Sequence, residues 1–399
     1  MLQPILTEKL KNFTAPQELQ HAGLYPYFRP IQENHDTEVI IEGKRLLMFG
    51  SNSYMGLTNH PKVKEAAKQA VDKYGSSCSG SRFLNGTSIL HIELEERLAD
   101  HVGKESALTF TTGFQTNLGT VSALTDRHGV IILDELDHAS IIEGSRLSFS
   151  KVFKFAHNDM KDLEQILKSI PDDKVKFIVI DGIFSMEGDI CNLPDITRLA
   201  NQYQAMVMVD DAHAFGVIGD KGKGTASYFG LTDEVDIIMS TFSKSLASVG
   251  GFIASTKDII NYLKHTSRPL IFSASIPPSA AAAALAALEI IQNEPERQQA
   301  LWDNTAYMAK AVKEMGFDTN TSETPIIPIY IRDNQLTFQF TQRLFEEGIF
   351  VNPVVSPAVK SDSSLIRMSI MATHTKAQLD QAIEKIEKVA AELQVFAEK

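Results

Sequence analysis

The spacing of apolar residues changes along the chain, and these changes predict the order of helices and strands. Residues 60–75 and 88–103 carry apolar residues three and four positions apart, which predicts two amphipathic helices, the second closed by Gly103. Short apolar runs then alternate with helical stretches: SALTFTTG, GVIILDE, VKFIVIDG, AMVMVDDA, VDIIMST and GGFIAST. Buried runs separated by helices are typical of a mostly parallel sheet with helices on both faces. The pattern therefore predicts an α/β fold.

The two ends of the chain follow other patterns. Before residue 57 we expect a helix near residues 6–21 and then a hairpin, because EVIIEGKRLLMFG has two apolar runs about a Glu-Gly turn. From about Ser279 a long helical segment precedes strands near PIIPIYI and IRMSIM and a final helix. We therefore predict an N-terminal segment (1–57), a large domain (58–283) and a smaller α+β C-terminal domain (284–399).

Composition and charge exclude several classes of protein. The 399 residues are 43% hydrophobic and 22% charged, as in ordinary globular chains, and the net charge of −12 argues against nucleic-acid binding. No apolar run reaches eighteen residues and no signal peptide is evident, so we expect a cytoplasmic protein without a transmembrane segment; peripheral membrane contact stays open. The two cysteines, Cys78 and Cys191, have no metal-ligand spacing near them, so we expect no metal.

A carboxylate ends one of the predicted buried strands. In MVMVDDAHAFG the apolar run leads into Asp210, and His213 lies three residues further, in the following loop. A buried carboxylate needs a cationic partner, and a protonated pyridine nitrogen is one that would also make its ring a better electron sink. A structural aspartate capping a turn beside a core histidine explains this pair of residues equally well.

Two further segments suggest a phosphate and an amine at the same edge of the sheet. In STFSKSLASVGGF, hydroxyl residues crowd around Lys244 between two apolar strands, where a buried amine can form an imine and hydroxyls can bind a phosphate. In TFTTGFQTN, Gly113 and Phe114 would begin a helix after a strand, and free N–H groups at a helix start suit a phosphate. Taken alone, the second signal is weak, because strand–Gly–helix turns are common.

Taken together, these segments resemble the α-oxoamine synthases, a family of fold-type I pyridoxal-phosphate enzymes that join an amino acid to an acyl-CoA. The resemblance runs from FGSNSYMGL to IRMSIMATH, about residues 49–374, and includes SGSRFLNGT, LDELDHASIIEGSR, DGIFSMEGDI and SRPLIFSASIPP. It implies a pyridoxal-phosphate-dependent transferase with a mostly parallel sheet. It also implies a homodimer whose active sites are shared between subunits.

The resemblance assigns roles residue by residue. Lys244 matches the lysine that forms the imine, Asp210 the partner of the pyridine nitrogen, and His213 the residue that hydrogen-bonds the phenolic oxygen. His138 matches the histidine that stacks on the ring and helps to hold the substrate carboxylate. The implied cofactor contacts also include Gly113, Phe114, Ser185, Thr241 and, toward the neighbouring subunit, Ser273. The implied substrate side comprises Asn52, Ser81, His138 and Arg367.

The segment TFSKSLASVGGF most resembles the family members that condense L-serine with palmitoyl-CoA. We therefore expect L-serine and a long-chain acyl-CoA as substrates. The alternatives are members that use glycine or alanine, such as 2-amino-3-ketobutyrate CoA ligase or 8-amino-7-oxononanoate synthase. A catalytically silent scaffold subunit is disfavoured because Lys244 is present. A nicotinamide enzyme is disfavoured because no G-x-G-x-x-G follows an early strand.

Overall fold

The computed structural model describes residues 3–356 and 358–395 and contains three sheets. The strands are β1 Glu33–Asn34, β2 Glu38–Ile41, β3 Lys44–Met48, β4 Ser106–Phe110, β5 Val130–Asp134, β6 Lys151–Phe155, β7 Lys176–Asp181, β8 Met206–Asp210, β9 Ile237–Thr241, β10 Gly251–Ser255, β11 Ile326–Tyr330, β12 Ile349–Phe350, β13 Asn352–Val354 and β14 Leu365–Ser369.

The helices surround these sheets. They are α1 Pro4–Lys11, α2 Ala15–His21, α3 Pro61–Tyr74, α4 Ile89–Val102, α5 Gly113–Leu124, α6 Ala139–Leu147, α7 Met160–Ser169, α8 Leu193–Tyr203, α9 Thr225–Tyr228, α10 Lys257–Thr266, α11 Arg268–Ile271, α12 Pro278–Asn293, α13 Pro295–Glu314, α14 Asn334–Glu346 and α15 Lys376–Leu393. Short 3₁₀ turns occur at Asp220–Gly222, Thr232–Glu234 and Ser361–Ser363. No helix in the described part of the chain is long and apolar enough to cross a membrane.

The central sheet has seven strands in the order β4-β10-β9-β8-β7-β5-β6. The strands from β9 to β6 pair in parallel, and only β10 runs opposite to its neighbours, β4 and β9. The predicted mostly parallel α/β sheet is therefore confirmed. The parallel arrangement places the ends of β5, β7 and β8 at one edge, where each strand finishes in an aspartate.

Helices cover both faces of this sheet, which explains why its inner strands are continuous apolar runs. Alternate residues along β5, β7 and β8 belong to two different buried clusters, as expected for side chains that point to opposite faces. One cluster includes Ile132, Ile178, Ile180, Val207 and Val209. The other includes Ile131, Leu133, Phe177, Val179 and Met208.

Two smaller sheets complete the fold. The predicted hairpin is present as β2 and β3, and β3 also pairs in parallel with β12 from the distant end of the chain. The third sheet has the order β11-β14-β13 and is antiparallel. The predicted domain boundaries at 57/58 and 283/284 stay predictions; the hairpin before the first of them is hydrogen-bonded to β12.

Three local expectations differ from the structure. The helix expected at residues 6–21 is two helices, because Pro16 near the start of α2 has no N–H to continue α1. The long segment after Ser279 is likewise divided before Pro295, where α13 begins. Strand β6 was not predicted from the sequence. It lies at the sheet edge, where its two lysines remain exposed and interrupt the apolar pattern.

Gly251, the first residue of β10, lies against the start of α5. A Cβ at this position would lie 2.5 Å from Thr116 Oγ1 and 2.9 Å from the Cα of Gly113. The second of these neighbours is backbone, which cannot rotate away. Gly251 therefore allows the sheet and the N-terminus of α5 to approach each other.

We predict that Gly251→Ala lowers the free energy of unfolding by about 2 kcal/mol, because the added methyl overpacks this contact. Urea unfolding would measure the change. Gly129→Ala is the matched control, because the nearest atoms to its Cβ would be 3.5 Å away, an ordinary contact distance. Equal stability of the two variants would contradict the packing role of Gly251.

Candidate active site

A cavity of about 570 Å³ opens above the carboxyl ends of the parallel strands. Its walls come from the start of α5, the loops after β7, β8 and β9, and residues of β13 and β14. Among the predicted site residues, those that line it are Asn52, Gly113, Phe114, His138, Ser185, Asp210, His213, Thr241, Lys244 and Arg367. Segments far apart in sequence thus meet at one place.

Asp210 and Lys244 form the electrostatic centre of the cavity. The Asp210 carboxylate, at the end of β8, accepts hydrogen bonds from Asn117 Nδ2 at 2.6 Å and from the N–H of Ala212 at 2.9 Å. Burial lowers the pKa of Lys244 to about 8, although the negative charges of Asp210 and Asp181 oppose this. The Lys244 amine therefore loses its proton more readily than an exposed lysine does, and the unprotonated form is the one that acts as a nucleophile or a base.

The opposite wall is a hydrogen-bonded group built around Arg367, on β14. Its Nη1 donates to Asn52 Oδ1 at 3.0 Å, its Nε donates to the carbonyl of Ser185, and its Nη2 donates to Tyr54 Oη at 3.4 Å. The Tyr54 hydroxyl lies 2.7 Å from Nδ1 of His213. The same hydroxyl also donates to Asn52 Oδ1, at 3.5 Å.

His213 is held neutral by its surroundings. Burial lowers its pKa well below the ordinary value, and the charges of Lys244 and Arg367 lower it further. Its Nδ1 is bonded to the Tyr54 hydroxyl, so Nε2 is the ring nitrogen left for a bound group. His213 is thus a neutral imidazole.

One end of the cavity is suited to an anion. Thr112 caps α5 by accepting from the N–H of Gln115, which leaves the N–H groups of Gly113 and Phe114 at the helix start. The hydroxyls of Thr241 and Ser243 lie 2.9 Å apart beside them. A Cβ on Gly113 would lie 2.7 Å from Thr241 Oγ1, so only glycine allows this approach.

Two predicted residues, Ser81 and Ser273, do not line the cavity. The segments that carry these two residues pair with each other instead, because Ser81 forms a β-bridge with Ala274, the residue after Ser273. Ser273 Oγ accepts a hydrogen bond of 3.1 Å from the side chain of Gln115 on α5. Their predicted roles stay predictions.

Comparisons with known proteins agree with this architecture. The family model described as aminotransferase class I and II matches residues 44–386. The chain is 57% identical to serine palmitoyltransferase of Sphingobacterium spiritivorum over 98% of both chains, and 46% identical to 8-amino-7-oxononanoate synthase of Thermosipho melanesiensis over 95% and 97% of the two chains. It is also similar to a solved structure of serine palmitoyltransferase from S. paucimobilis with a bound PLP–myriocin aldimine. The two structures superpose with a TM-score of 0.96, and the sequences are 33% identical over 99% of this chain and 100% of the other.

The chain belongs to the aminotransferase class I and II family. The resemblance to α-oxoamine synthases is confirmed as well, because the relatives carry the names of enzymes from that group. The predicted fold class is confirmed by the same comparisons. What the sequence reasoning missed in this aminotransferase-family chain is a group of supporting residues.

Three of the missed residues, Asp181, Asn117 and Ser140, line the cavity themselves. Asp181 ends β7 as Asp210 ends β8, so the same strand-end signal was available in VKFIVIDG. Its carboxylate accepts from the N–H of His138 at 2.9 Å, and burial raises its pKa well above the ordinary value. Tyr54, Asn117 and Ser140 carried no signal, because their importance depends on contacts between distant segments.

His157 supports the same edge of the sheet from outside the cavity. Its ring lies between two carboxylates, with Nδ1 at 3.0 Å from Asp134 and Nε2 at 2.8 Å from Asp189. Burial lowers the pKa of His157, but the hydrogen bonds and charges of both carboxylates outweigh burial and raise it to about 10. His157 is therefore the cation that balances the fully buried Asp134.

We predict that His157→Gln lowers the free energy of unfolding by about 3 kcal/mol in weakly acidic solution, because buried carboxylates lose their cationic partner. Since folding raises the pKa of His157 from 6.5 to about 10, its stabilisation is complete below about pH 6.5 and is lost as the pH rises toward about 10.

Denaturant unfolding of both proteins across this pH range would measure the effect. The difference between wild type and variant should shrink as the pH rises. His21→Gln, at an exposed histidine on α2, is the control and should show no such trend. A difference that stays constant with pH would mean that the charge of His157 has no part in stability.

Proposed function

We propose that this chain is a pyridoxal-phosphate-dependent serine palmitoyltransferase. It condenses L-serine with palmitoyl-CoA to 3-oxosphinganine, with release of CoA and carbon dioxide. The observation that carries the proposal is a buried lysine with a pKa of about 8 facing a strand-end carboxylate in one cavity. The near full-length similarity to serine palmitoyltransferases supports the substrate assignment.

The residues of the cavity fit pyridoxal phosphate. N–H groups at the start of α5 and the hydroxyl of Thr241 suit its phosphate, and the Asp210 carboxylate suits a protonated ring nitrogen. Lys244 would be the amine that binds the aldehyde carbon, and the neutral His213 would hydrogen-bond the phenolic oxygen. When bound, the cofactor supplies an electron sink for the negative charge that develops at the amino-acid α-carbon.

The residues around the cavity define the proton transfers. The unprotonated Lys244 amine is the base that removes the proton from the α-carbon of L-serine. Arg367 and His138 hold the serine carboxylate, so that the α-proton faces Lys244. A new bond then joins the α-carbon to the carbonyl carbon of the acyl-CoA, and its carbon–sulfur bond breaks. After the carboxylate leaves as carbon dioxide, Lys244 can return a proton to the same carbon.

The alternatives are other members of the same group of enzymes. A glycine- or alanine-using α-oxoamine synthase would share the supporting residues of the cavity. The similarity to 8-amino-7-oxononanoate synthase is compatible with this alternative. A silent scaffold subunit would not need a buried lysine beside a carboxylate. The cytoplasmic location stays a prediction, as do the roles assigned to Ser81 and Ser273.

We predict that the purified holoenzyme releases CoA from palmitoyl-CoA with L-serine but far more slowly with glycine or alanine. Lys244→Ala should lower turnover roughly a thousandfold or more, because it removes the base. Thiol release and mass spectrometry of 3-oxosphinganine would measure both effects. Lys257→Ala, at an exposed lysine that begins α10, is the control and should keep wild-type turnover. Faster turnover with glycine or alanine, or an active Lys244→Ala variant, would contradict the proposal.

We also propose a homodimer in which each subunit completes the site of the other. Phe83, Leu84 and Phe272 are 50%, 79% and 73% exposed, on the segments that carry Ser81 and Ser273. Exposed apolar side chains grouped in this way are typical of an interaction surface. A two-fold axis here would bring Ser273 toward the partner's cavity, as the resemblance implies.

We predict that the wild type sediments at twice the chain mass at low micromolar concentration. Leu84→Glu should shift it toward monomer, because a charge would be buried in the interface. Phe149→Glu is the matched control. Phe149 is 80% exposed but precedes β6, at the sheet edge opposite β4, so this variant should remain dimeric. A fully active wild-type monomer would contradict the shared site.

A further inference from the structure

A continuous chain of hydrogen bonds joins Asp210 to His138. Asn117 Nδ2, on α5, lies 2.6 Å from Asp210 Oδ2 and 2.8 Å from the Oγ of Ser140, on α6. Ser140 Oγ in turn lies 2.7 Å from Nδ1 of His138, and the N–H of Ser140 lies 3.2 Å from the same nitrogen. Asn117 and Ser140 are each 1% exposed, so water does not compete for these contacts.

The direction of each bond in this chain follows from the donor and acceptor chemistry. An ionised carboxylate only accepts, so Asn117 must present its amide NH₂ to Asp210. The second hydrogen of that NH₂ then points to Ser140 Oγ, which becomes an acceptor. The single hydroxyl hydrogen of Ser140 is left for His138 Nδ1, which also accepts from the Ser140 N–H. Nδ1 of His138 therefore carries no hydrogen.

The neutral state of His138 completes the assignment. Burial lowers its pKa; Asp210 opposes this shift and Lys244 adds to it. A neutral imidazole carries one hydrogen, and with Nδ1 accepting two bonds that hydrogen lies on Nε2. The ring is also fixed in place, because His138 is the N-cap residue of α6 and lines the cavity.

We propose that Asn117 and Ser140 are positioning residues that fix His138 as its Nε2–H tautomer and make it a donor to the carboxylate of the amino-acid substrate. The amino-acid substrate rests on the function proposed above. This series of hydrogen bonds begins at Asp210, so the negative charge that suits the cofactor ring also sets the tautomer of His138. Since neither nitrogen of His138 has a free lone pair, His138 does not compete with Lys244 for the α-proton.

The first test is the dissociation constant of L-serine, measured by titration of the visible absorbance of the holoenzyme. Ser140→Ala should raise it about tenfold, because the hydroxyl donor that favours one tautomer is lost. Ser140→Thr keeps a hydroxyl and should restore most of the affinity. Ser145→Ala is the matched control, because this buried serine lies on the same helix and its hydroxyl bonds only the backbone carbonyl of Ile142.

The second test is direct and needs no mutation at Ser140. In ¹⁵N-histidine-labelled holoenzyme, with the His138 signals assigned by comparison with His138→Gln, Nε2 should be protonated and Nδ1 bare. A proton on Nδ1 would overturn the proposal, as would a Ser140→Ala variant that binds L-serine as tightly as wild type and Ser145→Ala. A wild-type holoenzyme that does not bind L-serine would instead refute the proposed function and leave the tautomer assignment to the nitrogen signals.

Discussion

The burial of carboxylates at the ends of three parallel strands is the constraint on which the site depends. Asp134, Asp181 and Asp210 finish β5, β7 and β8, and none of the three is more than 5% exposed. An unpaired carboxylate in such a place is costly, so each one must be matched by a cation or by N–H donors. The partners of these three carboxylates come from the segments at this edge of the sheet, so their hydrogen bonds fix the positions of those segments.

Each carboxylate is matched differently, and the differences explain the chemistry. Asp134 is balanced by His157, outside the cavity. Asp181 accepts from the N–H of His138, which fixes the loop of that residue, and burial raises the pKa of Asp181, so that its neutral form needs no cation. Asp210 has only neutral donors within hydrogen-bond reach among the described residues, so its charge remains to attract a cation in the cavity. A protonated pyridine ring is such a cation.

Site residues can be predicted from the sequence where the pattern that marks them is local. They cannot be predicted where their role depends on packing between distant segments. Asp210 and Lys244 can be found because each follows a buried strand within one segment, and Asp181 offered the same signal but was passed over. Arg367 was assigned from family resemblance, since nothing near it in the sequence marks it as a wall of the cavity. Tyr54, Asn117 and Ser140 gain their roles from hydrogen bonds to distant segments, which no periodicity predicts. Strand β6 and the break before Pro16 show the same limit for the fold, because edge exposure and a single proline override the expected pattern.

The Asp210 carboxylate is the group that would bind a cationic ring. The most direct test of this role compares the binding of pyridoxal phosphate with that of an analogue in which a carbon replaces the ring nitrogen. The wild type should bind the analogue at least roughly tenfold more weakly, because a charge-assisted hydrogen bond is lost, and Asp210→Asn should abolish this preference. Equal affinity of the wild type for the two molecules would contradict the account.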